Sequence, residues 1–313
     1  MSLDPTSSLP AAVGAKQAPR AGRLLVHVPC NLCGHEVTHG VENVSRLVRC
    51  VNCGLIFVNP RPPFEEIARQ YEGTYFRCPE PVFGGYEDYE GDREEIKRTF
   101  RMRLKPLIPL LPGDHPRLLD VGCATGIFLE VARDAGWQGE GLDISEYALA
   151  RAREKGLTVQ HGTNPGALYA ENTFDVITLW DLIEHVPDPA GLLAECHRLL
   201  RPGGVLAIST PDAGSVLARV LRGNWLGFRS IDEHLYFFSR TTITRMLEAA
   251  GFEVRRYQQV GKYLRLPRLI DRMRFYSRIA ARLLRTADRL APNLSIYVNS
   301  YDTMYVLASR KES

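Results

Sequence analysis

The chain has 313 residues, of which 45% are hydrophobic, so it is long enough for one large domain with a sizeable core and a smaller domain. The formal net charge of +3, from 39 basic and 36 acidic residues, is too balanced to indicate nucleic-acid binding by itself. No apolar run is long enough to span a membrane, and the N-terminus has no apolar signal core, so we expect a soluble, cytoplasmic protein.

Composition divides the chain into four segments. The beginning is rich in Pro, Ala, Ser and Gly and has no hydrophobic period, which predicts disorder. Paired cysteines come next, followed by a polar and aromatic stretch of short helices and then by alternating strands and helices. We expect a disordered tail (1–22), a cysteine-rich segment (23–62), a helical linker (63–105) and a main domain (106–313).

Four of the seven cysteines lie in two C-x2-C pairs, Cys30/Cys33 and Cys50/Cys53, which are separated by sixteen residues. A glycine follows each second cysteine and fits a tight turn whose backbone faces the sulfurs. Four thiolates fill a tetrahedral coordination shell and leave no open position for water. The pattern therefore predicts a zinc ribbon with a structural Zn²⁺ over residues 23–62, while reduced core thiols and a redox pair are the alternatives.

Strand patterns alternate with helical patterns in the main domain. The predicted strands are 117–121, 138–143, 157–160, 174–180 and 205–210, with two later ones near 252–260 and 300–308. The predicted helices are 127–135, 146–155, 189–200 and 241–250. Such alternation requires crossover connections, so we expect an α/β, doubly wound, mostly parallel sheet of seven strands with helices on both faces.

The turn from the first strand of the main domain to its helix, Asp120–Gly126, predicts a ligand site. Glycine lets the backbone turn tightly and approach a ligand at the N-terminus of the following helix. Asp143 ends the second strand, where a carboxylate can accept hydrogen bonds from both ribose hydroxyls. The dinucleotide spacing G-x-G-x-x-G is not matched, because Ala124 and Ile127 occupy two of its glycine positions. Asp120 can instead hold an ammonium group, so a cofactor with a ribose and an amino-acid tail would use both acids.

The motifs resemble those of the class I S-adenosylmethionine-dependent methyltransferases over about residues 115–260, in the same order. They are Leu-Leu-Asp120-Val-Gly122-Cys-Ala-Thr-Gly126, Gly-Leu-Asp143-Ile-Ser, Phe-Asp175-Val-Ile-Thr-Leu-Trp and Leu-Leu-Arg-Pro202-Gly203-Gly204. The resemblance implies a Rossmann-like fold in which S-adenosyl-L-methionine contacts Asp120, Gly122, Cys123, Gly126, Asp143, Ile144, Thr163, Trp180 and Asp181. Another nucleotide-binding doubly wound domain is the alternative.

The cysteine-rich segment adds a second resemblance. The run from Val48 through Cys50, Cys53 and Pro60 resembles bacterial methyltransferases with an N-terminal zinc-binding segment, several of which act on sugars or natural products. This implies a small-molecule acceptor. Zinc ribbons also bind RNA in one rRNA methyltransferase family, but Arg23, Arg46 and Arg49 would offer RNA only a thin cationic surface, so we do not expect a nucleic-acid partner.

His185 follows the fourth strand of the main domain, beside the expected methyl group. A histidine there can remove a proton from an acceptor hydroxyl or amine, because its ordinary pKa lies near working pH. A structural role for Glu184 and His185 in fixing the loop is the alternative. The run Asp181-x-x-Glu184-His185 also resembles the E-x-x-E-H run of ubiquinone-pathway O-methyltransferases, which use Mg²⁺. The shorter Asp181 makes magnesium possible but not favoured.

His234 is the second candidate base, because it lies in an aromatic and polar stretch after the fifth strand. We expect Trp225, Phe228 and Tyr236 to form the wall of an apolar pocket, with Glu233 holding His234. A buried histidine with a structural role is the alternative.

A basic segment at 262–292 has arginines interspersed with large apolar side chains at helical spacing. We expect a helical insertion here, which could lie on an anionic membrane and approach a lipid-linked saccharide, or simply pack within the protein or a dimer. The function that we infer is O-methylation of a sugar or natural-product hydroxyl. RNA methylation and a non-catalytic cofactor-binding or scaffold role are the alternatives.

Overall fold

The N-terminal part of the chain folds into a small antiparallel sheet. The computed structural model of the protein describes residues 24–41, 44–71, 89–111, 113, 115–277, 284–285 and 294–311. Its first strands are β1 (Thr38–Gly40), β2 (Leu47–Cys50) and β3 (Ile56–Val58), and β2 pairs with both of the others. The predicted tail at 1–22 lies outside the described residues.

The main domain supplies the other strands. They are β4 (Arg117–Val121), β5 (Gln138–Asp143), β6 (Thr158–His161), β7 (Phe174–Trp180), β8 (Leu200–Pro211), β9 (Tyr236–Phe237), β10 (Phe252–Gln259), β11 (Lys262–Arg265), β12 (Ser295–Val298) and β13 (Thr303–Arg310). Every residue of β7 is buried, as expected for a central strand that is covered on both faces.

Helices follow most of these strands. They are α1 (Phe64–Ala68), α2 (Arg93–Leu104), α3 (Ile127–Asp134), α4 (Glu146–Glu154), α5 (Pro189–Leu199), α6 (Val216–Leu221), α7 (Arg240–Ala249) and α8 (Leu266–Tyr276). Side chains cap the starts of several: the Ser145 hydroxyl accepts the N–H of Ala148 at α4, and the Asp188 carboxylate accepts the N–H of Gly191 at α5.

Seven strands form the central sheet in the order β10-β13-β8-β7-β4-β5-β6. β13 runs antiparallel to its neighbours β10 and β8, and the remaining pairs are parallel. The strand order reverses between β4 and β7, because the chain continues to one side from β4 and to the other from β7. Such a switch point opens a crevice at the carboxyl ends of the strands, where ligands bind in this class of sheet.

The predicted fold class is confirmed, and the strand at 174–180 has the predicted bounds. The strand predicted at 205–210 is wrong in its start, because β8 begins at Leu200 and pairs there with Phe174. A left-handed residue, Gly203 at φ 75°, and an irregular register against β7 let the strand continue through Pro202-Gly203-Gly204, which we had expected only to end the helix.

A short strand of the main domain completes the N-terminal sheet. β9 pairs antiparallel with β3, which gives the order β1-β2-β3-β9. Beside this pairing, the Arg61 guanidinium donates to the hydroxyl of Tyr236 and to the carbonyl of Pro187. The cysteine-rich segment is therefore joined to the loop around residue 236 by backbone hydrogen bonds and by a buried cation.

The sequence predicted a helix from the start of the basic segment, and the structure shows that this is wrong. β11 occupies 262–265 and pairs antiparallel with β12, and the helix α8 begins only at Leu266. Pro267 stands in its first turn, where the missing N–H costs no hydrogen bond. Leu266 and Ile270 of α8 are buried against the partly buried Leu269 and Met273, so part of the apolar stripe packs within the protein.

The predicted helical linker at 63–105 contains α1 and α2 near its ends. Residues 72–88 between them lie outside the described part of the chain, so the domain boundaries stay predictions. Among the described residues, no helix combines the length and the apolar character needed to cross a membrane.

Candidate active site

A cavity of about 1760 Å³ lies at the carboxyl ends of β4, β5 and β7. The predicted cofactor residues that line it are Asp120, Gly122, Cys123, Asp143, Ile144, Thr163, Trp180 and Asp181, and both candidate bases, His185 and His234, line it too. The fold thus brings together residues that are more than one hundred positions apart in the chain.

The glycine turn is held in place by its own backbone. The N–H groups of Gly122 and Cys123 both donate to the carbonyl of Leu142 in β5, at 2.7 and 3.1 Å. Gly122 has φ 75°, and a Cβ there would lie 2.8 Å from Cδ1 of Leu182. A larger residue would therefore be strained and would displace a cavity-lining side chain.

Two predicted cofactor residues turn out to pack inside the protein. Gly126 does not line the cavity; it begins α3 at φ 79°, and a Cβ there would meet Leu157 at 2.3 Å. The Cys123 thiol is buried against Gly141, whose added Cβ would lie 2.6 Å from its sulfur. Burial raises the pKa of Cys123 well above its ordinary value, so the thiol stays protonated. Its Sγ also lies 3.8 Å from the carbonyl oxygen of Ala124 in the turn.

The two predicted acids lie on neighbouring strands. Asp120 is 2% exposed, and its carboxylate accepts a hydrogen bond from the hydroxyl of Thr178 at 2.6 Å. Burial raises the pKa of Asp120 to about 8, against the opposing effect of that hydrogen bond. Asp143 accepts the N–H groups of Ala124 and Ser145, each at 2.8 Å, and burial raises its pKa too. Asp143 therefore links the glycine turn to the start of α4.

The end of β7 supplies an aromatic ring and a third acid. The Trp180 ring is 8% exposed and contacts Phe128 edge-on at 5.1 Å, while its indole N–H has no hydrogen-bond partner in the described part of the chain. Asp181 accepts a hydrogen bond from the Ser209 hydroxyl at 2.7 Å and lies 3.7 Å from Arg103. Burial would raise the pKa of Asp181, but Arg103 and Lys262 hold it below its ordinary value.

His185 is anchored through one ring nitrogen. Its Nδ1 lies 2.7 Å from the hydroxyl oxygen of Tyr71 and 3.1 Å from the carbonyl oxygen of Glu233. A proton on Nδ1 satisfies both oxygens, which leaves the lone pair on Nε2, 4.0 Å from a carboxylate oxygen of Glu184. Burial lowers the pKa of His185 to about 4, so the ring is neutral near pH 7 and able to accept a proton.

His234 packs edge-on against His185, with ring centroids 4.6 Å apart. The expectation that Glu233 holds His234 is wrong. The Nδ1 of His234 has no hydrogen-bond partner among the described residues, and the backbone carbonyl of Glu233 contacts His185 instead. Successive side chains point in different directions, so Glu233 is poorly placed to bond its own neighbour. Burial lowers the pKa of His234 well below its ordinary value.

The expected apolar pocket also differs from the prediction. Trp225 lines the cavity, with its indole N–H donating to Asp302 at 2.9 Å. Phe228 instead packs in a core cluster with Trp225 and Phe237, and Tyr236 is buried with its hydroxyl donating to the carbonyl of Pro187. Both rings are used to attach β9 to its surroundings and do not line the cavity.

A cluster of possible metal ligands does form, but it is not the predicted one. Ligand atoms of Glu184, His185 and His234 lie within 4.8 Å of one another, and neither carboxylate oxygen of the buried Glu184 has a hydrogen-bond partner among the residues that the structure describes. Asp181 is not in this cluster, because Ser209 and Arg103 engage its carboxylate. Two imidazoles and one carboxylate suit zinc or iron better than magnesium, which prefers oxygen ligands.

The four paired cysteines converge, as their spacing predicts. All four sulfurs lie within 4.8 Å of one another, with Cys30 Sγ 3.4 Å from Cys53 Sγ and Cys33 Sγ 3.6 Å from Cys50 Sγ. Four sulfurs about 2.3 Å from one zinc ion would be about 3.8 Å apart, so the arrangement fits the ion closely. Gly34 and Gly54 both have a left-handed backbone conformation. Their N–H groups donate to the backbone carbonyls of Cys30 and Cys50, the first cysteine of each pair.

Three cavity residues gave no signal in the sequence. Tyr71 contacts His185 across 114 positions, and Arg103 donates from α2 to Ser209 across 106. Lys262 lines the cavity from β11, which we had expected to be part of a basic helix. Only the tertiary structure brings these side chains to the site, because no local pattern connects such distant positions.

A family model described as a methyltransferase domain matches residues 89–257, more than half of the chain. The chain therefore belongs to the S-adenosylmethionine-dependent methyltransferases, the class of protein that its sheet and glycine turn define.

The chain is similar to curated enzymes named ubiquinone biosynthesis O-methyltransferase. It is 35% identical to the one from Thiobacillus denitrificans over 164 residues, which are 49% of this chain and 71% of that protein. It is 31% identical to the one from Aeromonas salmonicida over 189 residues, or 56% and 79% of the two chains. With the one from Methylococcus capsulatus it shares 42% identity over 101 residues, which span 30% of this chain and only 43% of that protein.

Solved structures share the fold. A SAM-dependent methyltransferase from Archaeoglobus fulgidus aligns with a TM-score of 0.50 and 20% identity. The alignment covers 74% of this chain and 97% of that one. A chain from the Haloferax volcanii complex of the Trm112 methyltransferase activator with a methyltransferase has a TM-score of 0.53 and 16% identity, covering 72% and 93%.

Proposed function

We propose that this methyltransferase transfers a methyl group from S-adenosyl-L-methionine to a hydroxyl of a small molecule, such as a sugar or another natural product. The observation that carries the proposal is the shared cavity, in which the glycine turn, Asp120 and Asp143 lie beside the neutral histidines His185 and His234. Sites for single small ligands measure roughly 300–1,000 Å³, so about 1760 Å³ has room for the cofactor and an acceptor together.

The proposed cofactor contacts follow from the chemistry of the residues present. Asp143 can accept both ribose hydroxyls while it still holds the turn, and Asp120 can hold the ammonium group, which would return its raised pKa toward the ordinary value. The backbone of Gly122 and Cys123 packs on the methionine portion. Ile144, Thr163, Trp180 and Asp181 surround the adenine and the sulfonium.

The cofactor supplies a methyl group that its sulfonium already activates. The protein has to hold the acceptor oxygen in line with that methyl carbon and take up the hydroxyl proton as the new O–C bond forms and the S–C bond breaks. His185 presents Nε2 for this proton, because its Nδ1 is anchored by Tyr71 and Glu233. His234, in ring contact with His185, is the second candidate for the base.

The experiment that tests this proposal uses cofactor labelled in its methyl group. The protein is incubated with labelled cofactor and a fractionated cell extract, and each fraction is assayed for label. Label in aqueous small molecules or in lipid-linked glycans supports the proposal. Label in RNA overturns the substrate class, and cofactor binding with no label in any fraction favours the non-catalytic alternative.

The RNA alternative receives little support from the cysteine-rich segment. Arg46 is engaged by Asp232 at 2.7 Å, and Arg49 donates to the carbonyl of Gly54 at 3.3 Å. Arg61, which is 7% exposed, binds Tyr236 and Pro187. Cations occupied in this way are poorly available to phosphates of a nucleic acid.

We also propose that Zn²⁺ at Cys30, Cys33, Cys50 and Cys53 is structural, since four thiolates leave no position for a substrate. The cluster of Glu184, His185 and His234 does not favour magnesium in the transfer. Peripheral membrane contact through 262–292 is likewise less favoured than internal packing, because Leu266 and Ile270 of α8 are already buried.

A further inference from the structure

Charge is distributed unevenly around the cavity. Acidic side chains surround the proposed cofactor end, among them Asp120, Asp143 and Glu184. Apart from Arg103, the lining cations among the described residues come from the segment that begins with β11 and α8, namely Lys262, Arg265, Arg268, Arg272, Arg274 and Arg285. Arg265 and Arg268 form ion pairs with Asp92, and Arg274 forms one with Asp271. The cofactor carries a positive sulfonium, so the acidic end suits it and the basic end faces whatever the cofactor reacts with.

Lys262 is the most informative cation of this basic end. Its ammonium makes no ion pair and no hydrogen bond with any side chain among the described residues, although it lines the cavity. Neighbouring Arg272 lowers the pKa of Lys262 to about 7, and burial and Arg103 act in the same direction. Asp181 and Asp302 oppose this effect without cancelling it. The surroundings therefore disfavour the charged ammonium, and an anion beside it would stabilise that charge.

Arg103 brings a second, independent observation. Its side chain is 5% exposed, and its Nε–H is buried without a hydrogen-bond partner within the described ranges, although Nη1 donates to Ser209 at 2.9 Å. Its guanidinium also lies over the ring of Trp180, with 5.6 Å from its carbon to the ring centre. A buried donor that is left unsatisfied costs about 1–3 kcal/mol, so a water, an ion or a ligand that accepts from this N–H would stabilise the site.

We propose that Arg103, Lys262 and Arg272 form an anion-binding wall for a phosphate or diphosphate group on the methyl acceptor. This inference rests on the proposed small-molecule methylation and names the acceptor's chemical class within it. Guanidinium and ammonium groups together match the geometry and the double charge of a phosphate ester. Asp181 contacts this wall and also follows β7 beside the proposed methyl group, so one acceptor can reach both places.

The placement of the cations favours a small phosphorylated molecule over RNA. Arg103 is buried and Lys262 half-buried in the cavity that also holds the candidate bases, whereas Arg272 lines the same cavity from an exposed position. In the cysteine-rich segment, Arg46 and Arg61 are occupied. A polymer would need cations that follow its backbone across an open surface.

The first test uses inorganic pyrophosphate as the probe, with S-adenosylhomocysteine already bound. Calorimetric titration of the full chain should detect pyrophosphate binding that weakens about tenfold or more in Lys262→Met and in Arg272→Gln, since each removes a charged hydrogen-bond donor. Arg151→Gln removes one charge from α4, away from the cavity, and should bind pyrophosphate like the wild type. Unchanged S-adenosylhomocysteine affinity in each variant shows that the fold is intact.

The second test separates the two sources of the anion. Methyl transfer is measured with a nucleoside diphosphate hexose, with a polyprenyl diphosphate hexose in vesicles, and with the corresponding free hexose. Transfer to either diphosphate, with a KM about tenfold or more higher in Lys262→Met than in the wild type, supports the anion-binding wall. The better of the two substrates identifies the source of the anionic group.

The failure of this inference is distinguishable from the failure of the proposed function. The wall is overturned if pyrophosphate does not bind, if Lys262→Met and Arg272→Gln bind it as tightly as the wild type, or if the protein methylates a neutral small molecule equally well in both variants. Label found only in RNA overturns the small phosphorylated acceptor. Methylation of a neutral molecule leaves the proposed function standing, whereas cofactor binding without transfer to any small molecule contradicts that function itself.

Discussion

The surroundings of His185 decide what its ring can do. Tyr71 and the carbonyl of Glu233 hold Nδ1, and burial lowers the pKa of the ring to about 4. We predict that His185→Gln lowers kcat by about 10²–10⁴-fold, the usual contribution of a general base, and that His234→Gln tests the second candidate in the same way. Steady-state kinetics with calorimetric titration of S-adenosylhomocysteine measures both effects.

A matched control for these variants is His115→Gln, because His115 is exposed, does not line the cavity and forms a hydrogen bond with the carbonyl of Gly136. It should keep the kcat of the wild type. Full activity in both His185→Gln and His234→Gln would remove the base assignment, while a loss of S-adenosylhomocysteine affinity would point to a structural role.

The pH dependence provides a separate check on His185. A base works when deprotonated, so activity is lost as the pH falls through its pKa, which burial has lowered from the usual 6.5 to about 4. We predict that kcat/KM shows no loss from His185 protonation between pH 7 and about pH 5. A decline centred near pH 6.5 that disappears in His185→Gln would contradict the buried, neutral ring.

Asp120 makes stability depend on pH in a defined direction. Its pKa is raised to about 8 in the folded chain, above the roughly 3.9 of an unfolded one, so the folded state holds this proton more tightly. The stability linked to this proton is complete below about pH 4 and is lost as the pH rises toward 8. We predict that Tm of cofactor-free Asp120→Asn, relative to the wild type, increases between pH 5 and pH 8. Asp134→Asn, an exposed change at the end of α3, should show no such trend.

At the scale of elements, the strand pair β3–β9 connects the cysteine cluster to both histidines. Val58 donates to the carbonyl of Leu235, and the N–H groups of Leu235 and Tyr236 donate to the carbonyl of Glu184 at 2.7 and 3.1 Å. His185 directly follows Glu184, and His234 directly precedes Leu235. The cysteine-rich segment therefore supports the candidate bases from behind, although none of its cysteines lines the cavity.

We predict that metal analysis finds about one zinc per chain and that its removal, or Cys33→Ser, loosens this support. Amide hydrogen exchange should accelerate at Leu235 and Tyr236 and stay slow in β5, while kcat falls and S-adenosylhomocysteine still binds. Zinc-free protein with unchanged exchange and full kcat would show that the cluster does not position the histidines.

The element that sequence reasoning described least well is the basic segment. Its spacing of large apolar residues is helical in α8, but the same composition in Lys262–Arg265 forms a strand, because Ser295–Val298 offers a pairing edge. Such a partner lies thirty residues away in the chain, and local propensity cannot detect it.

For the whole molecule, the cofactor site joins the two halves of the central sheet at the switch between β4 and β7. We predict that S-adenosylhomocysteine at about one hundred times its Kd stabilises the folded state by about 2.7 kcal/mol, which raises Tm by roughly 5–10 °C. Gly122→Ala should reduce this shift, since its Cβ would lie 2.8 Å from Leu182.

Gly156→Ala is the matched control, because Gly156 has a similar φ of +71° but no heavy atom within 4 Å of an added Cβ. It lies outside the cavity and should keep the ligand-induced shift, even though it carries the same backbone strain. An equal shift in both glycine variants would contradict the placement of the cofactor at the turn.

Local patterns were enough to predict the parallel sheet, the glycine turn, the acids Asp120 and Asp143, and the convergence of four cysteines. Each depends on short-range spacing or on strand ends that any sheet of this class brings to one edge. The contact of Tyr71 with His185, the engagement of Asp181 by Arg103, and the basic wall around Lys262 depend on packing between distant elements. Only the tertiary structure could decide these, because a side chain's partners across the core are set by how whole elements pack and leave no mark in the neighbouring residues.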